Sequence, residues 1–304
     1  MKKIQFISLY FLSQLIVTRI AAQTPEPVLA SVTYQFIYVN DTNNKDNPIR
    51  ENMILCLGAT SSKYTSLLVE TKRQQARKAA AEAAAAINTS PGKTVAASGI
   101  PMAVVYGPGY TLEALFQHTK ENKLNKISPL GMNDYLIELP LPKIDWKINK
   151  ETRQIGGYTC QKAVGNFAGR TYNAWFTSEL PFQNGPWKLS GLPGLILEAT
   201  DTRNEVSFLF KEISKDTAFR DTGIETRRII TVNDKAFERV KEAWINDPVG
   251  VMQSQLPAGA NTSARLLYRD STGKASTGEA AQALLENYQK SLKNYNNPLE
   301  LTKK

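Results

Sequence analysis

From Ser31 to Asn40 the chain reads SVTYQFIYVN, with Val32, Tyr34, Phe36 and Tyr38 at alternate positions and Ser31, Thr33 and Gln35 between them. A period of two sends these sets to opposite faces of an extended chain, so the pattern predicts a half-buried strand. The same alternation recurs over Tyr158–Val164 and Arg170–Thr177, joined by a turn at Gly165–Gly169. Apolar runs at Met53–Leu57, Tyr64–Val69, Asn133–Leu139, Ile144–Ile148, Leu195–Thr200, Glu205–Ser214 and Ile224–Val232 predict further strands, roughly ten in all. Polar clusters such as DTNNKDN at 41–47 mark turns, and an antiparallel meander is the economical connection.

A period near 3.6 appears in fewer places. The alanine-rich stretch from Thr71 predicts a surface helix ended by Pro91-Gly92. Thr111–Asn122 predicts a short helix with Leu112, Leu115 and Phe116 inward. Asn233 caps a helix running to Asn246, with Phe237, Val240 and Trp244 on one face. Gly278–Tyr295 carries Ala281, Leu284, Leu285, Tyr288 and Leu292 on one stripe. The expected fold class is α+β, mainly β, an antiparallel sheet with two or three helices; strands and turns of these lengths are compatible with a strongly curved, half-barrel sheet.

Lys2-Lys3, the apolar run Ile4–Val17 and Ile20-Ala21-Ala22-Gln23 have the layout of a secretory signal cleaved near Ala22. The expected location is periplasmic or secreted. No later run has the ~18 apolar residues of a membrane span. The expected organisation is a signal over 1–22, a β-rich domain over 23–250 with an alanine-rich helical insert at 71–90, and a polar linker, amphipathic helix and disordered tail over 251–304.

The 304 residues hold 37 Lys plus Arg against 28 Asp plus Glu, a net charge of +9. The basic residues are scattered, with no block of five, so a nucleic-acid partner is not expected. Cys56 and Cys160 are the only cysteines. In an oxidising compartment they are equally candidates for one disulfide, closing a loop of about a hundred residues for on the order of 4 kcal/mol, and for two buried thiols.

Few residues suggest chemistry. His118 is the only histidine and no GxSxG motif accompanies it, which disfavours a Ser/His or Cys/His enzyme. One histidine and two distant cysteines do not form a metal site. No phosphate-binding glycine loop occurs, and no cofactor is expected. Around the Gly/Pro-rich corner at Ser178–Gly194, Lys162, Arg170 and Lys188 offer cations, and Trp146, Trp175 and Trp187 offer aromatic surface. An anionic or amphipathic ligand would use them, and so would ordinary surface pairing and core packing.

The hexapeptide Gly191-Leu192-Pro193-Gly194-Leu195-Ile196 closes that corner. With Gly157–Ala163, Arg170, Ala174–Thr177, Pro181, Gly185-Pro186 and Lys188, it resembles the GLPGLI family, exported proteins of the Bacteroidetes also described as a Porphyromonas-type domain of unknown function. The resemblance spans roughly residues 31–250. It implies export and, by fold analogy, a strongly curved, half-barrel sheet like that of lipoprotein carriers, but no reaction. The resulting expectation is a non-catalytic binding or chaperone-like protein whose hollow holds an apolar or lipid-like ligand, with Lys162, Arg170, Trp175, Trp187 and Lys188 as contacts. The alternative is a module docking on an outer-membrane transporter or other envelope protein. An enzyme ranks last.

Overall fold

In the computed structural model, residues 26–89, 102–108, 111–215, 222–223, 228–259, 264–270, 272 and 274–302 are described. The expected signal over 1–22 lies outside them. Strand β1 (Ala30–Tyr38) stands mid-sheet, between β2 (Ile49–Leu57) and a strand distant in sequence, β12 (Val206–Ser214). Val32 and Tyr34 are fully buried, and Ser31 and Thr33 on the opposite face are buried too. The strand expected to be half-buried is therefore covered on both sides.

Outward from β2 run β3 (Ser61–Ser66), β5 (Ala114–His118), β6 (Lys123–Leu130), β7 (Asn133–Pro140) and β13 (Ile229–Thr231). Outward from β12 run β11 (Leu195–Asp201), β10 (Arg170–Thr177), β9 (Tyr158–Phe167) and β8 (Lys147–Ile155). All pairings in this twelve-stranded sheet are antiparallel except β13 with β7. A smaller sheet joins β4 (Met102–Tyr106), β14 (Arg265–Arg269) and β15 (Ala275–Thr277). Among the described residues there are four helices: α1 (Leu67–Thr89), α2 (Asp234–Asn246), α3 (Pro248–Ser254) and α4 (Gly278–Leu292). The protein is mainly β.

One face of the large sheet is covered by its own chain. Residues 178–194, between β10 and β11, place Leu180, Trp187, Leu189 and Leu192 against Val32, Tyr34, Leu55 and Phe208. Polar groups fix this plug in register. Tyr34 Oη donates to the Ile196 carbonyl (2.7 Å), Trp146 Nε1 to the Ser190 carbonyl (2.8 Å) and Gln117 Nε2 to the Trp187 carbonyl (3.3 Å). Asn184 Nδ2 reaches Ser62 Oγ (3.0 Å) and Gln117 Oε1 (3.2 Å). Gly194 is obligatory here: its φ is +151°, and a Cβ would lie 2.1 Å from the Thr177 carbonyl oxygen. The segment expected to border a hollow for an apolar ligand instead packs four buried side chains onto the apolar face.

A second core lies where β6 and β7 meet the helices and the small sheet: Tyr135 and Ile137 pack with Phe237, Trp244, Met252, Tyr268, Ala281 and Leu285. Asn233 caps α2 as expected, accepting from Ala236 N at 2.8 Å. On the opposite face of the large sheet, Lys63 of β3 pairs with Glu70 of α1 at 2.8 Å, both side chains almost fully buried.

Several sequence expectations change. Thr111–Asn122 contains strand β5, not a helix. Strands β4 and β6 were not anticipated, and β14 and β15 lie where a polar linker was expected. Lys150-Glu151-Thr152 belongs to β8 and coincides with a register shift against β9. The turn between β9 and β10 is shorter than Gly165–Gly169 and rests on Ala168 and Gly169, both at positive φ.

The tail expected to be disordered is bound along residues 294–302. Arg170 is fully buried and spends every donor: Nη1 on Asp201 (2.8 Å) and Glu205 (3.0 Å), Nη2 on Asn297 Oδ1 (2.7 Å) and the Pro298 carbonyl (2.9 Å), Nε on the Leu299 carbonyl (3.1 Å). Asn297 Nδ2 also donates to the Val39 carbonyl (2.6 Å), and Leu301 N to the Ala168 carbonyl (2.9 Å). Replacing Arg170 with Ala strands two buried carboxylates, so urea unfolding should register a loss of about 3–5 kcal/mol. A loss below about 1 kcal/mol would mean that Arg203, which lies 3.2 Å from Glu205, takes over the pairing.

At the other end of the described chain, Glu26 accepts from the backbone N–H of Thr60 (2.8 Å) and Ser61 (3.0 Å), from Ser61 Oγ (2.8 Å) and from the Thr60 hydroxyl. The Thr60 hydroxyl leads these donors in holding its carboxyl down at about 2. A depressed carboxylate stabilises the fold fully above its unfolded value near 4.5 and loses that contribution as pH falls towards 2. The stability gap between wild type and Glu26→Gln, followed by thermal unfolding, should be widest above pH 5 and close as pH approaches 2.

Candidate functional site

The residues singled out from sequence do not converge. Arg170 is inside the tail-binding knot. Trp187 is buried in the plug, edge-on to Phe167 (5.4 Å between centroids) and stacked near Phe208 (6.2 Å). Lys188 lies 5.6 Å from the Trp187 ring and pairs with Glu300 of the tail. Lys162 and Trp175 do meet, on adjacent strands β9 and β10, at 5.9 Å. There the Arg153 guanidinium lies 4.2 Å from the Trp175 ring, Arg153 pairs with Glu198, and Lys162 pairs with Glu151 at 2.9 Å. This cation–π ladder uses both signs of charge on a strand surface and encloses no volume. Gly191–Ile196 forms the exit of the plug into β11, with Leu192, Leu195 and Ile196 buried.

No disulfide joins Cys56 to Cys160; both are buried thiols. Cys56 on β2 and Cys160 on β9 lie five strand positions apart, roughly 24 Å along the sheet, whereas a bridge needs α-carbons within about 7 Å. Cys160 belongs to the plug-side core and Cys56 points to the other face. Burial pushes the Cys160 thiol up to about 11, so it is an inert packing group. His118 sits on β5 rather than on a helix, and burial lowers its pKa. Among the described residues no group of three or more His, Cys, Asp or Glu side chains could hold a metal ion.

A polar concavity lies elsewhere, where the β1–β2 loop, Pro108 and the end of α4 with the tail beyond it surround a cavity of about 360 Å³. Asn40, Asp41, Asn44, Asn47 and Arg50 line one side; Asn294 and Tyr295 line the other. The loop is held open by its own bonds. Asp41 Oδ1 accepts from Asn43 N (2.9 Å), and Asn44 Oδ1 from Asn47 Nδ2 (2.8 Å). The tail is tied to the loop through Asn296 Oδ1, which accepts from Thr42 N and Thr42 Oγ1 at 2.9 Å each. Among the described residues, the side chains of Asn40, Asn294 and Arg50 have no protein hydrogen-bond partner. Sequence reasoning filed these residues under a turn and a tail. The usable signal was asparagine density at two distant places, Asn40–Asn47 and Asn294–Asn297.

Comparison with known proteins corrects the functional expectation. The family model that matches is that of the N-glycanase peptide, N-terminal domain, over residues 109–233, about two fifths of the chain. Two solved structures of PNGF-II, in space groups P21 and C2, superpose at 16% identity over 69% of this chain, with TM-scores of 0.46 and 0.47. The chain spans about a third of the length of those proteins, 32% of each. A search among curated proteins finds no match. The family match overturns the assignment to the GLPGLI family, and with it the label of unknown function that came from that resemblance. It overturns equally the expectation of a non-catalytic carrier or docking module and the placing of an enzyme last: the match, to the model of an N-glycanase N-terminal domain, runs from before β5 through β13 and includes the plug.

Proposed function

We propose that the chain serves in the processing of N-glycosylated peptides, as the portion of an N-glycanase-type glycosidase that corresponds to its N-terminal domain. The observation that carries this is the family match over residues 109–233. The polar cavity supports it, since a glycan presents hydroxyl groups and needs lining groups that both donate and accept. The sheet is read as bending round the plug at 178–194, which would give the molecule a rigid frame for its loops. Export, as the N-terminal pattern suggests, would bring it to glycosylated substrates.

Asp201 and Glu205, two carboxylates that share Arg170 Nη1, belong to the fold. Both are buried, and Arg170 and the Asp201 contacts to the Glu205 and Val206 backbone N–H groups (2.7 and 3.0 Å) hold them. A carboxylate that exchanges a proton with substrate must reach it, which these cannot do. Incubating the purified protein with an N-glycosylated peptide, and following the peptide by mass spectrometry and by titration calorimetry, tests the reading. The expected result is loss of the glycan mass from the peptide or saturable binding of the glycosylated form over the unglycosylated one. A protein that neither cleaves nor distinguishes the two peptides overturns it.

A further inference from the structure

We propose that the cavity between the β1–β2 loop and the tail is a binding subsite for one or two neutral sugar units, with Tyr295 as the stacking platform. This inference rests on the glycan-directed reading above but names a place and a ligand chemistry that the family match does not.

Size comes first. About 360 Å³ lies at the small end of the range for small-molecule sites, about 300–1,000 Å³, which suits a compact ligand and not a folded partner. Charge comes second. The lining carries one cation, Arg50, and one carboxylate, Asp41, so its formal charge balances. A phosphate or sulfate site would gather several cations or backbone N–H groups, and a lipid tail would need apolar walls. Here four asparagines dominate instead.

The hydrogen-bonding chemistry then narrows the class. Each asparagine amide offers two donors and an acceptor in one plane, which matches the adjacent hydroxyls of a sugar, each of which donates and accepts. The amides of Asn40 and Asn294 and the Arg50 guanidinium have no partner among the described residues, so they are available at no cost in broken protein bonds. The groups that are already bonded, Asp41 to Asn43 N and Asn44 to Asn47, hold the wall in one shape and reduce the ordering needed on binding. Tyr295, half-buried beside Asn294, supplies a flat apolar face for the C–H side of a sugar ring, and Pro48 and Ile49 also line the cavity. Both walls are indispensable. One is a loop near the start of the chain, and the other exists only because Asn296 and Asn297 tie the tail down.

The test uses the whole purified protein with a neutral high-mannose oligosaccharide as probe and inorganic phosphate as the competing chemistry, read by ligand-observed NMR and calorimetry. Wild type should bind the oligosaccharide, with phosphate neither binding nor displacing it. Tyr295→Ala and the exposed pair Asn44→Ala with Asn47→Ala should each raise Kd about tenfold or more, at unchanged unfolding temperature, while Trp175→Ala leaves Kd as it was. Phosphate displacing the sugar, or both cavity variants binding as wild type does, overturns the proposal. Wild-type protein that binds glycopeptide with both cavity variants unaffected would sink this subsite and leave the glycan-directed reading standing. Oligosaccharide binding lost in the variants, in a protein indifferent to glycopeptide, would do the reverse.

Discussion

Five hydrogen-bond donors on one guanidinium decide where the tail meets the large sheet. Arg170 starts β10, yet its partners come from the β11–β12 turn, through Asp201 and Glu205, and from the tail, through Asn297, Pro298 and Leu299. A buried ion pair contributes little net stability compared with apolar residues of the same volume, because desolvation offsets the attraction. What it contributes is discrimination. A tail shifted by one residue would offer the wrong carbonyls to a fixed fork, and two carboxylates would lose a neighbour they cannot do without. The knot therefore sets the register of a segment that has little apolar surface to set it.

That register reaches the candidate site. Asn297 lies inside the knot, Asn296 bonds the β1–β2 loop, and Tyr295 faces the cavity. Successive residues thus anchor, bridge and line. Lys188 of the plug holds Glu300 of the same tail, so the plug and the cavity wall are coupled through one short strap. Only the strap makes the loop one side of a cavity; without it the loop would be an exposed turn.

The elements legible in the sequence are those with one dominant period and one buried face: the β9–β10 hairpin, α2 with its Asn233 cap, and the stripe of α4. Strand β5 was not legible, for a physical reason. Leu112, Leu115 and Phe116 have helical spacing, but Leu115 packs into the plug-side core and Phe116 into a separate cluster on the opposite face. A strand buried on both faces has no alternation to betray it, so spacing alone favours the wrong period. The tail failed differently. Asparagine-rich composition reads as disorder because it offers little to bury, yet each amide can satisfy both a donor and an acceptor, and here the partners were a hundred or more residues away. The candidate site was illegible for the same reason, being made of turn and tail.

The corner at 178–194 attracted a ligand-binding reading because aromatics and cations flank it. In the fold, Trp187 and the leucines beside it are consumed by the sheet, the backbone carbonyls of Trp187, Ser190 and Ile196 are each met by a side chain from another strand or loop, and Lys188 is paired. A segment whose largest apolar side chains and several of whose carbonyls are turned into the sheet has little left to offer a ligand. The asparagine-lined cavity is the opposite case, with amides and a guanidinium still unbonded on walls that other bonds keep rigid. Such groups face water in the free protein and exchange it for hydroxyls at little enthalpic cost, which favours ligands as hydrated as themselves. The distribution of unsatisfied hydrogen-bonding capacity, more than the distribution of aromatic residues, therefore points to where this molecule meets a substrate.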